Sequence, residues 1–287
     1  MKISNNPLEH PALKAQFEAD KLAEIEREFI DTKHLIKRVS DWAWYIYATQ
    51  HEPTRETIRF AIKLNSPAFA YMLEKFSVLI EGPSGTGKEL LAGIIGFSGD
   101  GAKNVRSLNM AGLTDSLFES QLFGYVPGAF TGALSKGAPG FLRNVGRGFA
   151  FLDEIGELPL SQQAKLLRVI QDKTVLPVGA VDPVRIECRF IFATNRDLLS
   201  MVKAGTFRED LYFRISQIQL RTYSLSDRGL AEVRHVANEI IRFEKWQPLD
   251  ADEYIPLELV SLGNVRALFN LLLNRELGRT MLPRLDS

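Results

Sequence analysis

The sequence contains little cysteine and no excess of either positive or negative charge. Each of these features excludes some classes of protein. Cys188 is the single cysteine, so an internal disulfide is excluded, as is typical of proteins in a reducing cytosol. Lys plus Arg and Asp plus Glu number 35 each, which argues against a chain-wide basic surface for nucleic acid. The charge balance does not exclude a local basic patch.

Long apolar runs, internal repeats and low-complexity segments are also missing. The most apolar aromatic run, residues 42–48, is much shorter than the roughly 20 residues of a membrane-spanning helix. No N-terminal signal peptide is recognisable. Because the composition is otherwise ordinary for a globular protein, we expect a soluble cytoplasmic protein without a membrane partner.

A glycine-rich stretch follows the apolar run of residues 78–80 and is closed by Lys88, after which apolar residues recur at helical spacing. This is the order strand, phosphate loop, helix, in which backbone N–H groups and a lysine surround an anion. The motif is G-x-x-x-x-G-K-S/T, except that Glu89 stands at its last position. The alternative is a glycine-rich turn with a surface lysine. The predicted nucleotide-binding residues are Gly82, Pro83, Ser84, Gly85, Thr86, Gly87, Lys88 and Glu89.

A second apolar run, residues 149–152, ends in two adjacent carboxylates, Asp153 and Glu154. In ATPases with a phosphate loop, an Asp at such a strand end holds Mg²⁺, here through water. The next carboxylate can activate the attacking water as a general base. The alternative is a strand that ends in a solvated acidic turn.

Asn195 follows the next buried run, residues 188–193. A polar side chain at a strand end of a parallel sheet lies at the ligand edge, so Asn195 is predicted to sense the γ-phosphate or to orient water. The alternative is that Asn195 caps the helix predicted to start near Asp197.

Two arginines, Arg208 and Arg214, flank an acidic and aromatic segment. An arginine supplied to the nucleotide of a neighbouring subunit can stabilise the charge of the transferred phosphoryl group. From composition alone, surface ion pairs with Glu209 or Asp210 are the better interpretation.

Strands alternate with helices up to about residue 224, which predicts an α/β fold with a parallel sheet between helices. The pattern is helical from residue 225 onward. We therefore expect an N-terminal helical segment (1–52), which is either packed on the main domain or a regulatory or oligomer-contact arm. An α/β nucleotide-binding core (53–224) and a small α-helical subdomain (225–287) follow. The predicted strands are residues 78–80, 105–108, 149–152, 188–193 and 218–220.

The sequence from about residue 78 to 215 resembles the central AAA+ domain of bacterial sigma-54-dependent transcription activators. The most specific feature is G-A-F-T-G-A at residues 128–133, the loop with which this family contacts sigma-54. The other matching motifs are S-L-N, E-S-Q-L-F-G-Y, F-L-D-E-I-G-E-L, K-L-L-R-V-I-Q and F-R-E-D-L-Y-F-R. In this family Glu also follows the phosphate-loop lysine, as Glu89 does here.

The resemblance implies an AAA+ P-loop NTPase that uses ATP and Mg²⁺, assembles as a homo-oligomeric ring, usually a hexamer, and acts on the sigma-54 RNA polymerase holoenzyme. It implies that Asn109 restrains the catalytic Glu154 and that Arg208 and Arg214 act across subunits. It also implies that residues 225–287 form a lid, shortened here, in which Arg266 senses nucleotide. The residues implied to bind sigma-54 are Gly128, Ala129, Phe130, Thr131, Gly132 and Ala133.

The sequence is compatible with two other functions. One is a protein that binds ATP and sigma-54 but hydrolyses ATP weakly or not at all, and the other is a different AAA+ remodelling ATPase. No helix-turn-helix is recognisable after the lid, so we expect no DNA-binding domain in this chain.

Overall fold

The computed structural model describes residues 49, 51–65, 69–96, 104–251, 253–279 and 282. The predictions for residues 1–48 and 50 lie outside these residues. None of the helices in the described part of the chain has the length and apolar character that crossing a bilayer requires.

Five strands form a parallel sheet in the order β2-β3-β6-β1-β7, and two very short strands pair as an antiparallel hairpin, β4-β5. In chain order the strands are β1 Val78–Glu81, β2 Val105–Asn109, β3 Phe149–Asp153, β4 Thr174–Val175, β5 Val184–Arg185, β6 Arg189–Thr194 and β7 Ile218–Arg221.

Both faces of the central strands are buried, because successive side chains point to opposite faces of a sheet. In β1, Val78 and Ile80 lie in one hydrophobic cluster while Leu79 lies in the other. Phe151 and Phe192 follow the same alternation on β3 and β6. Near-continuous apolar strands covered on both faces are typical of parallel sheets, and the predicted α/β class is confirmed.

Helices cover the two faces in two groups. One face packs against α1 to α3 and against the helices that follow β7, whereas the other packs against α4 to α8. The helices are α1 Glu52–Asn65, α2 Ala70–Lys75, α3 Lys88–Ile95, α4 Asp115–Leu122, α5 Phe141–Val145, α6 Leu160–Asp172, α7 Leu198–Lys203, α8 Glu209–Ile215, α9 Leu225–Arg228, α10 Leu230–Glu244, α11 Leu257–Ser261 and α12 Asn264–Glu276.

The helices α9 to α12 share a hydrophobic core with the first face of the sheet. Val236 and Ile240 on α10 and Leu268 on α12 are in the same buried cluster as Ile80. The helical C-terminal part therefore belongs to the same hydrophobic core as β1 and β7, and Asn264 at the start of α12 bonds to Ser84 in the predicted phosphate loop.

Cys188 lies in the second hydrophobic cluster, immediately before β6. Burial raises the pKa of its thiol to about 11, although the nearby Lys173 ammonium opposes the shift. Since the thiolate is the reactive form, we expect native protein at pH 8 to react with a thiol reagent at least about a hundredfold more slowly than unfolded protein. A reaction time course with and without denaturant measures this ratio, and equal rates would contradict the burial of Cys188.

Candidate nucleotide site

The loop between β1 and α3 is shaped by glycines that make close backbone contacts. A Cβ atom at Gly82 would lie 2.1 Å from the Thr222 hydroxyl oxygen, and one at Gly85 would lie 2.1 Å from the Gly263 carbonyl oxygen. Gly85 also has a φ of 74°, in the left-handed region that favours glycine. No larger residue fits these two positions without displacing the backbone beside them.

Lys88 begins α3 and is buried against the loop that it closes. Its Nζ donates to the carbonyl oxygens of Gly82 at 2.8 Å and Pro83 at 3.1 Å. Burial lowers the pKa of the Lys88 ammonium, and the carboxylates of Glu154 and Asp153 oppose that shift. The structure therefore places the predicted phosphate-binding lysine within electrostatic range of both predicted catalytic carboxylates.

Thr86 and Thr222 connect the back of the loop to the end of β7, a contact that the sequence patterns did not predict. Their hydroxyl oxygens lie 2.6 Å apart, and the Thr86 hydroxyl also lies 2.7 Å from the Pro83 carbonyl oxygen, to which it donates. The Thr222 N–H donates to the Glu81 carbonyl at 2.8 Å, which fixes Thr222 to the end of β1.

Asp153 is the last residue of β3 and Glu154 follows it, next to the ends of β2 and β6. The parallel register pairs Asp153 with Asn109, and Glu154 adopts a left-handed φ of 55°. The Glu154 N–H donates to the Asp153 carboxylate at 2.9 Å, and the Glu154 carboxylate accepts the Asn195 N–H at 3.4 Å. A left-handed backbone at a residue that is not glycine is uncommon and is concentrated at functional sites.

Asn195 is not the cap of the next helix. Asp197 caps α7, because its carboxylate accepts the Ser200 N–H at 3.0 Å. Asn195 is exposed beside Glu154 at the carboxyl edge of the sheet, so its geometry agrees with a ligand-facing position rather than with the capping alternative.

Asn109 makes a local contact at the end of β2. Its Oδ1 accepts the Ala111 N–H at 2.9 Å. The backbone nevertheless lies in register with Asp153, one residue before Glu154. The restraint of Glu154 by Asn109 stays a prediction.

Arg208 and Arg214 differ in their surroundings. Arg208 is exposed and donates from Nε and Nη2 to both carboxylate oxygens of Asp210, at 3.0 and 2.8 Å. The pKa of its guanidinium is raised by that pair. Arg214 is half-buried, and its Nε has no hydrogen-bond partner among the described residues. In a single copy of the chain, the pairing of Arg208 with Asp210 agrees with the alternative in which Arg208 is a surface arginine in an ion pair.

The G-A-F-T-G-A loop lies between α4 and α5 in a closed, hairpin-like segment. Tyr125 and Ala138 exchange two backbone hydrogen bonds of 2.9 Å at its base. Phe130 is 44% exposed, and its ring centroid lies 5.0 Å from that of Tyr125. Gly128 and Gly132 have left-handed φ values and open space around them. The loop therefore presents an aromatic side chain that is only partly covered by its own domain.

The carboxylates suit a magnesium ion that is bound together with nucleotide. Among the described residues no group of three or more His, Cys, Asp or Glu side chains could hold a metal ion alone. Mg²⁺ commonly takes one or two carboxylates and completes its shell with waters and substrate phosphates. Asp153, half-buried near Lys88, fits that role.

Comparison with known protein families identifies the family of this chain. Residues 59–221 match the model of the sigma-54 interaction domain, so the chain belongs to that family. It is similar to the regulatory protein AtoC of Escherichia coli, with 37% identity over 251 residues, which are 84% of this chain and 52% of AtoC. It is also similar to the transcriptional regulatory protein GlrR of E. coli, with 39% identity over 235 residues, which are 76% of this chain and 52% of GlrR.

Solved structures give the same fold. NtrX from Brucella abortus in complex with ATP matches with a TM-score of 0.66 and 26% identity, over 94% of this chain and 57% of NtrX. The Hsp104:casein complex of S. cerevisiae matches with a TM-score of 0.58 and 17% identity, over 85% of this chain and 46% of Hsp104, which shows the fold alone. The fold is that of AAA+ ATPases, as predicted. The chain spans about half the length of the curated relatives AtoC and GlrR.

Proposed function

We propose that this chain is a ring-forming AAA+ ATPase that couples hydrolysis of ATP to remodelling of the sigma-54 RNA polymerase closed complex. The observation that carries the proposal is the grouping of Lys88, Asp153, Glu154 and Asn195 at one edge of the sheet. The partly exposed Phe130 on its own loop supplies the contact to sigma-54. Since that partner is a bacterial polymerase, the protein would work in the cytoplasm.

Each side chain at the sheet edge has a distinct role in the proposed reaction. Lys88 and the loop N–H groups bind the β- and γ-phosphates, and Glu154 takes a proton from the attacking water. Asn195 contacts the γ-phosphate or that water. Asp153 holds Mg²⁺, which neutralises charge on the phosphates when bound.

The remaining predicted residues act from outside this edge. Arg208 and Arg214 of a neighbouring subunit stabilise charge on the transferred phosphoryl group. Arg266 senses the nucleotide from the lid. A hexameric ring would place those arginines beside the next nucleotide. The residues proposed to engage sigma-54 are Gly128, Ala129, Phe130, Thr131, Gly132 and Ala133.

The dependence of ATP turnover on protein concentration tests this function. A ring that needs arginines from its neighbours should show a specific activity that rises steeply with concentration and then reaches a plateau. A flat and negligible rate would instead indicate a protein that binds ATP without hydrolysing it. A rate that is high at every concentration would contradict the shared site.

Phe130→Ala is expected to weaken the complex with sigma-54 by about 10–100-fold, because docking would bury a ring worth ~1.5–3 kcal/mol. ATP turnover should stay within about twofold, since Phe130 lies on the loop and makes no described contact with the nucleotide site. Gel filtration with sigma-54 and an ADP–metal-fluoride complex measures the first effect.

Tyr71→Ala is the matched control for Phe130→Ala. Tyr71 is an exposed aromatic residue on α2, and α2 packs on the opposite face of the sheet from α4 and α5. Its truncation should leave the sigma-54 complex unchanged. Equal complex formation by wild type and Phe130→Ala would contradict the assigned role of the loop.

A further inference from the structure

Asn264 joins two segments that are distant in sequence. Its Nδ2 donates to the Ser84 carbonyl oxygen at 2.8 Å, and its Oδ1 accepts the Leu225 N–H at 2.7 Å. Asn264 is only 1% exposed, and its bond to Leu225 is buried, whereas its bond to the exposed Ser84 is partly buried. A single amide therefore connects the phosphate loop to the first turn of α9.

The backbone around Asn264 has a conformation that suits this contact. Asn264 has a φ of 52°, in the left-handed region that Asn adopts more readily than most residues. The carbonyl oxygen of the preceding Gly263 lies where a side chain at Gly85 would begin, 2.1 Å from an ideal Cβ. The N-terminus of α12 is thus seated on the tip of the phosphate loop, without room for a side chain between them.

Arg266 lies in the first turn of the same helix, two residues after Asn264. It is exposed, and its positive charge contributes to the lowered pKa of Lys88, after the larger effect of burial. The Arg266 Cβ atom lies 3.6 Å from where a Cβ atom at Gly85 would stand, so the side chain begins beside the phosphate loop. The Asn264 amide makes its two bonds at the same end of α12.

We propose that Asn264 is a positioning residue that holds α12 against the phosphate loop, so that Arg266 faces the bound phosphates and the state of the loop is transmitted to the lid. This proposal rests on the proposed function, because it assigns the loop to ATP. The Ser84 carbonyl belongs to the segment whose N–H groups would surround the phosphates. A shift of that segment on binding or hydrolysis would move α12 and α9 together through one side chain.

Asn264→Asp separates the two bonds, because the carboxylate keeps the acceptor for Leu225 and loses the donor to Ser84. We expect the affinity for ATP, measured by titration calorimetry with Mg²⁺, to fall by about tenfold, since the Ser84 carbonyl loses its donor and faces a carboxylate oxygen instead. In an Arg266→Ala background the same substitution should have much less effect, because the two residues act through one contact. A residue that only stabilises the fold would give additive losses.

Two further variants complete the test. Asn270→Asp makes the same chemical change on the exposed side of α12 and should leave ATP affinity within about twofold. Asn264→Gly keeps the left-handed backbone without any side chain, and it carries the test if the Asp variant does not fold. Unchanged ATP affinity in a folded Asn264 variant, or additive losses with Arg266→Ala, would overturn the positioning role. Failure of the wild-type protein to bind ATP would instead overturn the proposed function and this inference with it.

Discussion

Glu154→Gln is expected to lower ATP turnover by about 10²–10⁴-fold, the contribution usual for a general base. The substitution keeps the size and the hydrogen-bond acceptor that faces the Asn195 N–H, but it removes the ability to accept a proton. Binding of ATP should persist, because Lys88 and the phosphate loop are unchanged. Phosphate release measures turnover, and titration calorimetry measures binding.

Glu187→Gln is the control for this variant. Glu187 is exposed and pairs with Arg147 at 3.3 Å, an ion pair of a kind that contributes little to stability. Its turnover should match wild type. Turnover of Glu154→Gln within tenfold of wild type would exclude Glu154 as the base, whereas loss of ATP binding would show that the side chain supports the loop instead.

Arg208→Ala should lower turnover by about 10³–10⁵-fold if its guanidinium acts on the nucleotide of a neighbouring subunit. In one chain the guanidinium is exposed and paired with Asp210, so a neighbouring γ-phosphate would compete with a surface carboxylate. Arg214, half-buried, is the less accessible of the two. Arg147→Ala removes another exposed arginine that pairs with a carboxylate, that of Glu187, and should have no effect.

Mixing variants separates action in trans from action within one chain. Arg208→Ala protein and Lys88→Ala protein are each expected to be inactive alone. Together they should regain part of the turnover, because a Lys88→Ala subunit can supply Arg208 to a neighbour that still binds ATP. No recovery at any ratio, despite confirmed co-assembly, would contradict a role of Arg208 across the interface.

The sheet and the residues at its edge could be predicted from sequence because buried parallel strands are short apolar runs, and polar residues stand where the runs end. The β3 run ending at Asp153 and Glu154 shows this, as does the run that ends before Asn195. The hairpin β4-β5 was not predicted, since strands of two residues have no measurable periodicity. Helix α5 has only five residues and was missed for the same reason.

Contacts between residues that are distant in sequence could not be predicted from the sequence patterns. Thr222 meets Thr86 from 136 residues away, and Asn264 meets Ser84 from 180 residues away. No spacing rule joins such pairs, because the pairing of β1 with β7 brings Thr222 to Thr86, and the shared core of the C-terminal helices and the sheet brings Asn264 to Ser84. The left-handed backbone of Asn264 and its two side-chain bonds were visible only in the structure.

Co-elution of the wild-type chain with sigma-54 tests the central claim most directly. The proposed mechanism predicts a stable complex on gel filtration when ADP and metal fluoride mimic the transition state of hydrolysis, and little or no complex with ADP or without nucleotide. Because the loop that carries Phe130 would engage only in that state, the nucleotide dependence is as informative as the complex itself. Absence of a complex under all three conditions, with ATP binding intact, would contradict the assignment of this chain as a sigma-54-remodelling ATPase.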